Sequence, residues 1–382
     1  MAAVKKVVMV SIPSLHFFRW VEQLKEADVD VYWFDVTGMA ASSERIQWVK
    51  QHTGWKLKWD YQGRTFLKKN APKVYNYIQK YNERDVASVF EDYLKEIQPD
   101  VVHSFALYLS CAPILEVMQR HKHVKWIYSS WGSDLFYFQN QPDYLKDIKR
   151  VLPRIDYMFA DCKRDFEIAE NYGFKGEFLG VFPGGGGFDW NALAHYMLPF
   201  EERNIILIKG FQGRSGRAIT VLKALKQLEE QLISYKIIVI GADAEVFEAV
   251  NQGSWSPCNN IQILGRIPHD RVLTLMGQAL LYIGNSNSDG IPNTLLEAMG
   301  MGAFPIQSNP GGATSEIVIH DKNGLIINDC NDPQEIKSAI LKAIDDRHLI
   351  HKAFNYNQRL KCNFDFNLIK TEVLNKYFSL VE

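Results

Sequence analysis

Two carboxylates eight positions apart, Asp289 and Glu297, bracket a turn and a helix start in NSNSDGIPNTLLEAMG at 285–300. Gly290, Ile291, Pro292 and Asn293 cannot continue a strand. Residues 294–301 read as a short helix with Leu295, Leu296 and Met299 facing inward. Asn293 is the expected N-cap, since a short side-chain oxygen accepts from first-turn amides. Amides at a helix start carry partial positive charge and form a seat for phosphate. Glu297, one turn in, is placed to reach a sugar hydroxyl beside that phosphate. The plain alternative is a strand–turn–helix unit with an exposed Asp and a surface Glu.

A second group sits in a basic, glycine-rich turn between a strand at 204–210 and a helix at 218–231. Such a turn can cradle phosphate, with amides pointing inward and cations neutralising charge. Lys209 and Arg214 are the expected diphosphate contacts, with Gly210 allowing close approach and Arg217 third. A solvated basic turn is the alternative.

These residues need strands and helices to hold them. Residues 4–12, 29–36, 97–105, 125–134 and 155–161 read as strands of the first half, with a helix at 17–27. In the second half, strands are expected at 204–210, 236–241, 261–268, 280–284, 304–308 and 325–327. An amphipathic helix is expected at 364–377. Strand–helix–strand at this spacing implies parallel pairs and right-handed crossovers, with ligands at strand carboxyl ends. The loop at 13–19 is such an end, which makes His16 and Arg19 candidates for reaching substrate; a lone loop histidine is more often simply surface. His103 falls at a strand end and reads equally as a structural imidazole. Four glycines at 184–187 mark a boundary. Between 41 and 75, Trp48, Trp55 and Trp59 interleave with lysines and arginines. That pattern suits an interfacial or acidic-ligand surface, or else a solvated helix pair with its tryptophans in the core.

The run Asp289-Gly-Ile-Pro, then Leu295-Leu-Glu-Ala-Met299 and Gly302-x-x-Pro305-Ile306, resembles the signature of glycosyltransferase family 4. Its members are retaining, nucleotide-sugar-dependent enzymes of the GT-B fold. Asp289 stands where the family has the first of two glutamates, one methylene longer. The resemblance implies that Glu297 holds the nucleotide ribose, and that Asp289 with the following segment Gly290, Ile291, Pro292 and Asn293, through the backbone amides of its non-proline residues, holds sugar and diphosphate. Residues 261–268 resemble the family strand that borders the base, making Arg266 and Ile267 base contacts. Residues 97–105 resemble its K-P-D-V-V-H strand. Residues 129–134 resemble its H-G-S-D segment, with Trp131 in the position of the histidine and Asp134 as helix cap or acceptor contact. Family cations in the phosphate turn would fall on Phe211 and Gly216, so Lys209, Arg214 and Arg217 are the replacements.

The expected fold is therefore α/β, GT-B, with two Rossmann-like domains whose parallel sheets face an interdomain cleft. The expected units are an acceptor-side domain at 1–190, a nucleotide-sugar domain at 191–360, and a C-terminal helix at 361–382 packing back on the first. The expected activity is transfer of a hexose-type sugar from a nucleotide diphosphate sugar to a glycan or lipid-linked acceptor. A catalytically inactive binding subunit and a nucleotide-sugar epimerase are the alternatives.

Composition agrees with two cores and bounds the rest. The chain has 382 residues, of which 47% are hydrophobic, and a formal net charge of -1. That balance gives no footprint for nucleic acid. Cysteines 111, 162, 258, 330 and 362 show no C-x-x-C spacing, so neither a disulfide framework nor a zinc site is expected. No cofactor and no metal are expected. No run approaches the length of a membrane span or a signal peptide. A cytoplasmic location is expected, with candidate peripheral contact at the inner membrane face through residues 48–73.

Overall fold

Runs of β-branched and apolar residues form strands buried on both faces, as parallel sheets covered by helices require. The computed structural model describes residues 5–252 and 260–381. It contains two all-parallel sheets. The first comprises β1 (Lys5–Ser11), β2 (Val29–Asp35), β3 (Lys50–His52), β4 (Val101–Phe105), β5 (Lys125–Ser129), β6 (Tyr157–Ala160) and β7 (Glu177–Val181), in the order β3-β2-β1-β4-β5-β6-β7. The second comprises β8 (Ile205–Lys209), β9 (Lys236–Ile240), β10 (Ile261–Ile263), β11 (Ala279–Gly284), β12 (Phe304–Ser308) and β13 (Leu325–Ile327), in the order β10-β9-β8-β11-β12-β13. Each sheet reverses its winding once, between β1 and β4 and between β8 and β11. The carboxyl ends beside those reversals are where such folds form ligand crevices.

One compact unit comprises the chain up to residue 160, residues 166–186, and residue 370 onward; the other comprises 161–165 and 187–369. In the first, Phe17, Trp20, Phe105 and Phe159 are buried and meet at ring-centroid distances of 5.2–6.1 Å. Each such ring contributes about 1.5–3 kcal/mol by leaving water. The final helix, Phe366–Val381, supplies Tyr377 to this cluster, where its hydroxyl accepts from Trp20 Nε1 at 3.2 Å. In the second unit, β8, β9, β11 and β12 pack Ile206, Ile208, Val239, Ile283 and Ile306 against the helices Ala218–Lys226 and Pro333–Asp345.

Several boundaries differ from expectation. The first helix is Leu15–Glu22, not 17–27, because Ser14 caps it through Phe17 N–H at 3.2 Å and the chain then continues in three-residue turns. The helix at 218 ends at Lys226, where three-residue turns again replace the helical pattern. Asn293 is not the N-cap: Pro292 holds that position in an extended conformation, and Asn293 is the first helical residue. The tryptophans of 41–75 divide. Trp55 is buried and stacks on Phe34 at 5.3 Å, Trp48 is half-buried, and Trp59 is 49% exposed. Val4 and Cys258 lie outside the described residues.

Candidate active site

The carboxyl ends of β8 and β11 bring the two sequence groups together. β8 ends at Lys209, and its ammonium lies 3.1 Å from the Asp289 carboxylate in the loop after β11. Both side chains are largely shielded. Burial opposes the charge on Lys209, but the adjoining Asp289 outweighs it, and the lysine is held above its ordinary range. The other Asp289 oxygen accepts from the Gly290 N–H at 3.2 Å. Beneath them Tyr282, fully buried in β11, donates to Thr294 at 3.0 Å and pins the start of the helix Asn293–Gly300 to the sheet.

Gly290 permits a close approach. A Cβ there would stand 2.4 Å from both carboxylate oxygens of Asp161. Arg164, from the same short segment, donates to the Asp289 carbonyl at 2.8 Å and the Pro310 carbonyl at 2.6 Å while pairing with buried Asp165 at 2.7 Å. Glu316 accepts from the Lys163 and Arg164 amides at 2.7 and 3.0 Å. The sequence reading missed Arg164, Asp161 and Glu316; the D-C-K-R-D run directly after a strand was their only local signal.

The phosphate turn is built differently from the expected ring of open amides. Ala218 N–H donates to the Phe211 carbonyl at 3.1 Å, and Ile219 N–H to the Gln212 side chain at 3.2 Å. Gly216 is required because a Cβ would lie 2.0 Å from the Phe211 oxygen. Gly210 donates to the Ile240 carbonyl, and Phe211 lies under the Lys209 ammonium at 5.2 Å. Arg217 is tied to its own loop, donating to the Gly213 and Gly216 carbonyls and to Asn331. Arg214 lies on the exposed face of the turn.

Glu297 is buried at 3% exposure, and its carboxylate lies 3.4 Å from His269 Nε2 at the start of the helix His269–Gln278. His269 was not singled out from sequence. Arg266 is exposed in the preceding turn, while Ile267 is half-buried against the cluster containing Leu295 and Leu296. Ile291 belongs to that same cluster.

In the first unit, the rings of His16 and Trp131 come within 6.0 Å, and Trp131 also contacts Phe105. Arg19 is half-buried in the same helix as His16. Asp134 is buried and accepts from Leu107 N–H at 2.6 Å and from the Tyr128 hydroxyl at 2.5 Å. It thereby fixes the corner at Ala106, a non-glycine residue held at φ 64 and worth about 1–3 kcal/mol of local strain. His103 is fully buried between Ser129, 2.8 Å away, and the Tyr377 hydroxyl. Burial pushes its pKa well below the ordinary histidine range.

Asp161, Cys162 and Asp165 bring their ligating atoms within 4.8 Å of one another. Arg164 already neutralises Asp165, and burial together with the two carboxylates pushes the Cys162 thiol up. This donor set therefore suits a buried ion-pair network better than a cation. Among the described residues, no helix is long and apolar enough to cross a membrane.

Residues 197–361 match the family model described as glycosyl transferases group 1, and residues 87–162 match that described as glycosyl transferase 4-like. An uncharacterized glycosyltransferase of Methanocaldococcus jannaschii is 29% identical over 150 residues, 38% of each chain. The GalNAc-alpha-(1->4)-GalNAc-alpha-(1->3)-diNAcBac-PP-undecaprenol alpha-1,4-N-acetyl-D-galactosaminyltransferase of Campylobacter jejuni is 23% identical over 176 residues, 46% of this chain and 48% of that one. The matched region thus spans less than half the length of either relative. Among solved structures, sucrose-phosphate synthase from Thermosynechococcus elongatus superposes with a TM-score of 0.69 at 17% identity, covering 99% of both chains. The Anabaena protein HepE in complex with UDP-glucose gives 0.69 at 13% identity, covering 98% of this chain and 99% of that one. At these identities the structural likeness speaks to the fold.

Proposed function

We propose that this chain, matched by glycosyltransferase family models over residues 197–361 and 87–162 and sharing the GT-B fold, is a family-4-like glycosyltransferase that transfers a hexose-type sugar from a nucleotide diphosphate sugar to a glycan or lipid-linked acceptor, with retention of anomeric configuration. The observation that carries this reading is the Lys209–Asp289 pair at the head of the helix Asn293–Gly300, with buried Glu297 one turn further on. A diphosphate placed there meets an ammonium and a helix start, and the ribose meets Glu297. Departure of the leaving group builds negative charge on the diphosphate. Preorganised positive groups that face it lower the barrier because they need not reorient. Lys209 and Arg214 supply that charge, so the reaction runs without a metal. Asp289 fixes Lys209 and takes a sugar hydroxyl. The acceptor attacks from the face the leaving group vacates, with no nucleophile from the chain.

Support for the donor class comes from HepE, solved in complex with UDP-glucose. The name of the Campylobacter relative specifies an undecaprenol-linked acceptor, which favours a lipid-linked acceptor reached at a membrane face. The test is a thermal-shift screen against nucleoside diphosphates and their sugars, since a ligand that binds only the folded state raises the melting point. Transfer with the best donor is then followed by NMR of the product anomer, with and without EDTA. An inverted anomer overturns retention, and EDTA-sensitive turnover overturns metal independence. Binding without transfer or hydrolysis makes the chain a binding subunit; donor isomerisation without acceptor makes it an epimerase.

A further inference from the structure

Between Asp60 and Glu83 the chain carries Arg64, Lys68, Lys69, Lys73 and Lys80 and no acidic residue. In a protein of net charge -1 this is a strong local excess. The segment folds as two helices, Arg64–Asn70 and Pro72–Asn82. The first has no buried residue, and the second buries only Gln79 and Asn82. Leu67, Tyr75 and Ile78 are half-buried, but four further apolar side chains point outward: Phe66 is 67% exposed, Val74 51%, Tyr77 67% and Tyr81 55%. Residues 74, 77 and 81 share one helix face, and the rings of Tyr77 and Tyr81 touch edge to face at 5.5 Å. Lys68, Lys69, Lys73 and Lys80 are all exposed.

The base of the pair is held firmly. Asn82 accepts from the Trp59 N–H at 2.9 Å and donates to the Trp59 carbonyl at 2.8 Å, Lys58 N–H donates to the Asn82 carbonyl, and Leu57 bridges to Glu83. A polar clasp thus presents an aromatic and basic face to solvent, although that face gains nothing from water. Clustered exposed apolar side chains rimmed by polar groups mark interaction sites. Arg64 is paired with Asp60 at 3.2 Å, and the aromatic rings flanked by the four lysine ammoniums match the headgroup zone of an anionic bilayer. There rings enter the acyl boundary and lysines meet lipid phosphates.

We propose that the helix pair at 64–82 docks this chain on an anionic lipid surface. The contact differs from the one read from sequence: Trp55 is in the core, and the docking face extends instead through Tyr77 to Tyr81. The proposal rests on the transferase reading only for its purpose, which is to bring the chain to a lipid-linked acceptor.

Co-sedimentation of the full chain with vesicles of phosphatidylcholine alone, or of phosphatidylcholine mixed with phosphatidylglycerol, tests it. The wild type is expected to partition onto the anionic vesicles and to release in high salt. The variants Phe66→Ser/Tyr77→Ser/Tyr81→Ser and Lys68→Glu/Lys69→Glu/Lys73→Glu are each expected to lose at least about tenfold in partitioning. Their melting points and nucleotide thermal shifts should match the wild type, because every substituted side chain is exposed. Equal binding to both vesicle types, or variants that partition like the wild type, would overturn the proposal. Capture by polyglutamate without vesicle binding would also overturn it, and would assign the face to an acidic polypeptide. Lost vesicle binding with intact nucleotide shifts separates this surface from the donor site; absent nucleotide shifts in the wild type sink the transferase reading alone.

Discussion

Lys209 and Asp289 lie 80 positions apart in sequence and 3.1 Å apart in space, joined across the adjacent strand ends of β8 and β11. Removing either partner strands the other in a shielded site. Lys209→Met or Asp289→Asn should each cost about 3 kcal/mol in denaturant unfolding. The double variant should recover part of that loss, because no lone charge remains. Additive losses would mean that the two groups do not act as a pair.

Glu297→Ala should raise the donor dissociation constant by at least about tenfold, on the order of 1.4 kcal/mol. Titration calorimetry with the best nucleotide sugar reads this directly. Unchanged affinity in a variant with wild-type melting behaviour would remove Glu297 from the ribose.

Arg214→Ala should lower turnover more than donor affinity, because charge on the diphosphate peaks in the transition state. Steady-state kinetics beside calorimetry separate the two effects. Equal losses in both would confine Arg214 to ground-state binding.

His103 gives a pH dependence with a definite sign. Its folded pKa is depressed by burial, so the folded imidazole stays neutral, whereas in the unfolded chain it titrates near about 6.5. Above that pH both states are neutral and stability is unaffected by this group. Below it the unfolded chain takes up a proton that the folded chain refuses, so stability falls by up to about 1.4 kcal/mol per pH unit. Half-buried His52 is shifted in the same direction, chiefly by burial. Melting curves between pH 8 and about 5 should therefore show a decline on the acid side, shallower in His103→Gln. An identical slope in the variant would assign the decline to other groups.

The strand–turn–helix at 279–300 was legible because its signals are local: a β-branched run, a Gly-Ile-Pro turn and helical spacing. The N-cap was misread because the extended conformation of Pro292 (φ -65, ψ 132) fixes the helix entry without a side-chain cap. Arg164 could not be read, since it reaches the Asp289 carbonyl across 125 positions. Interleaved aromatic and basic residues at 41–75 showed composition but not direction. Only packing turned Trp55 inward onto Phe34 and left Trp59 outside. The amides of Ala218 and Ile219 at the head of the next helix were likewise invisible as acceptor-bound until Phe211 and Gln212 folded over them.

Tyr377 lies 274 positions beyond His103, yet its hydroxyl meets that imidazole and the Trp20 indole inside the first unit. On a ribosome, the first unit therefore gains this closing contact only after residue 377 has been made. Until then Trp20 and His103 wait with an open flank, the kind of nascent species that depends on chaperones. A stop introduced just before residue 370 would leave the second unit almost entire and impair instead the part made first.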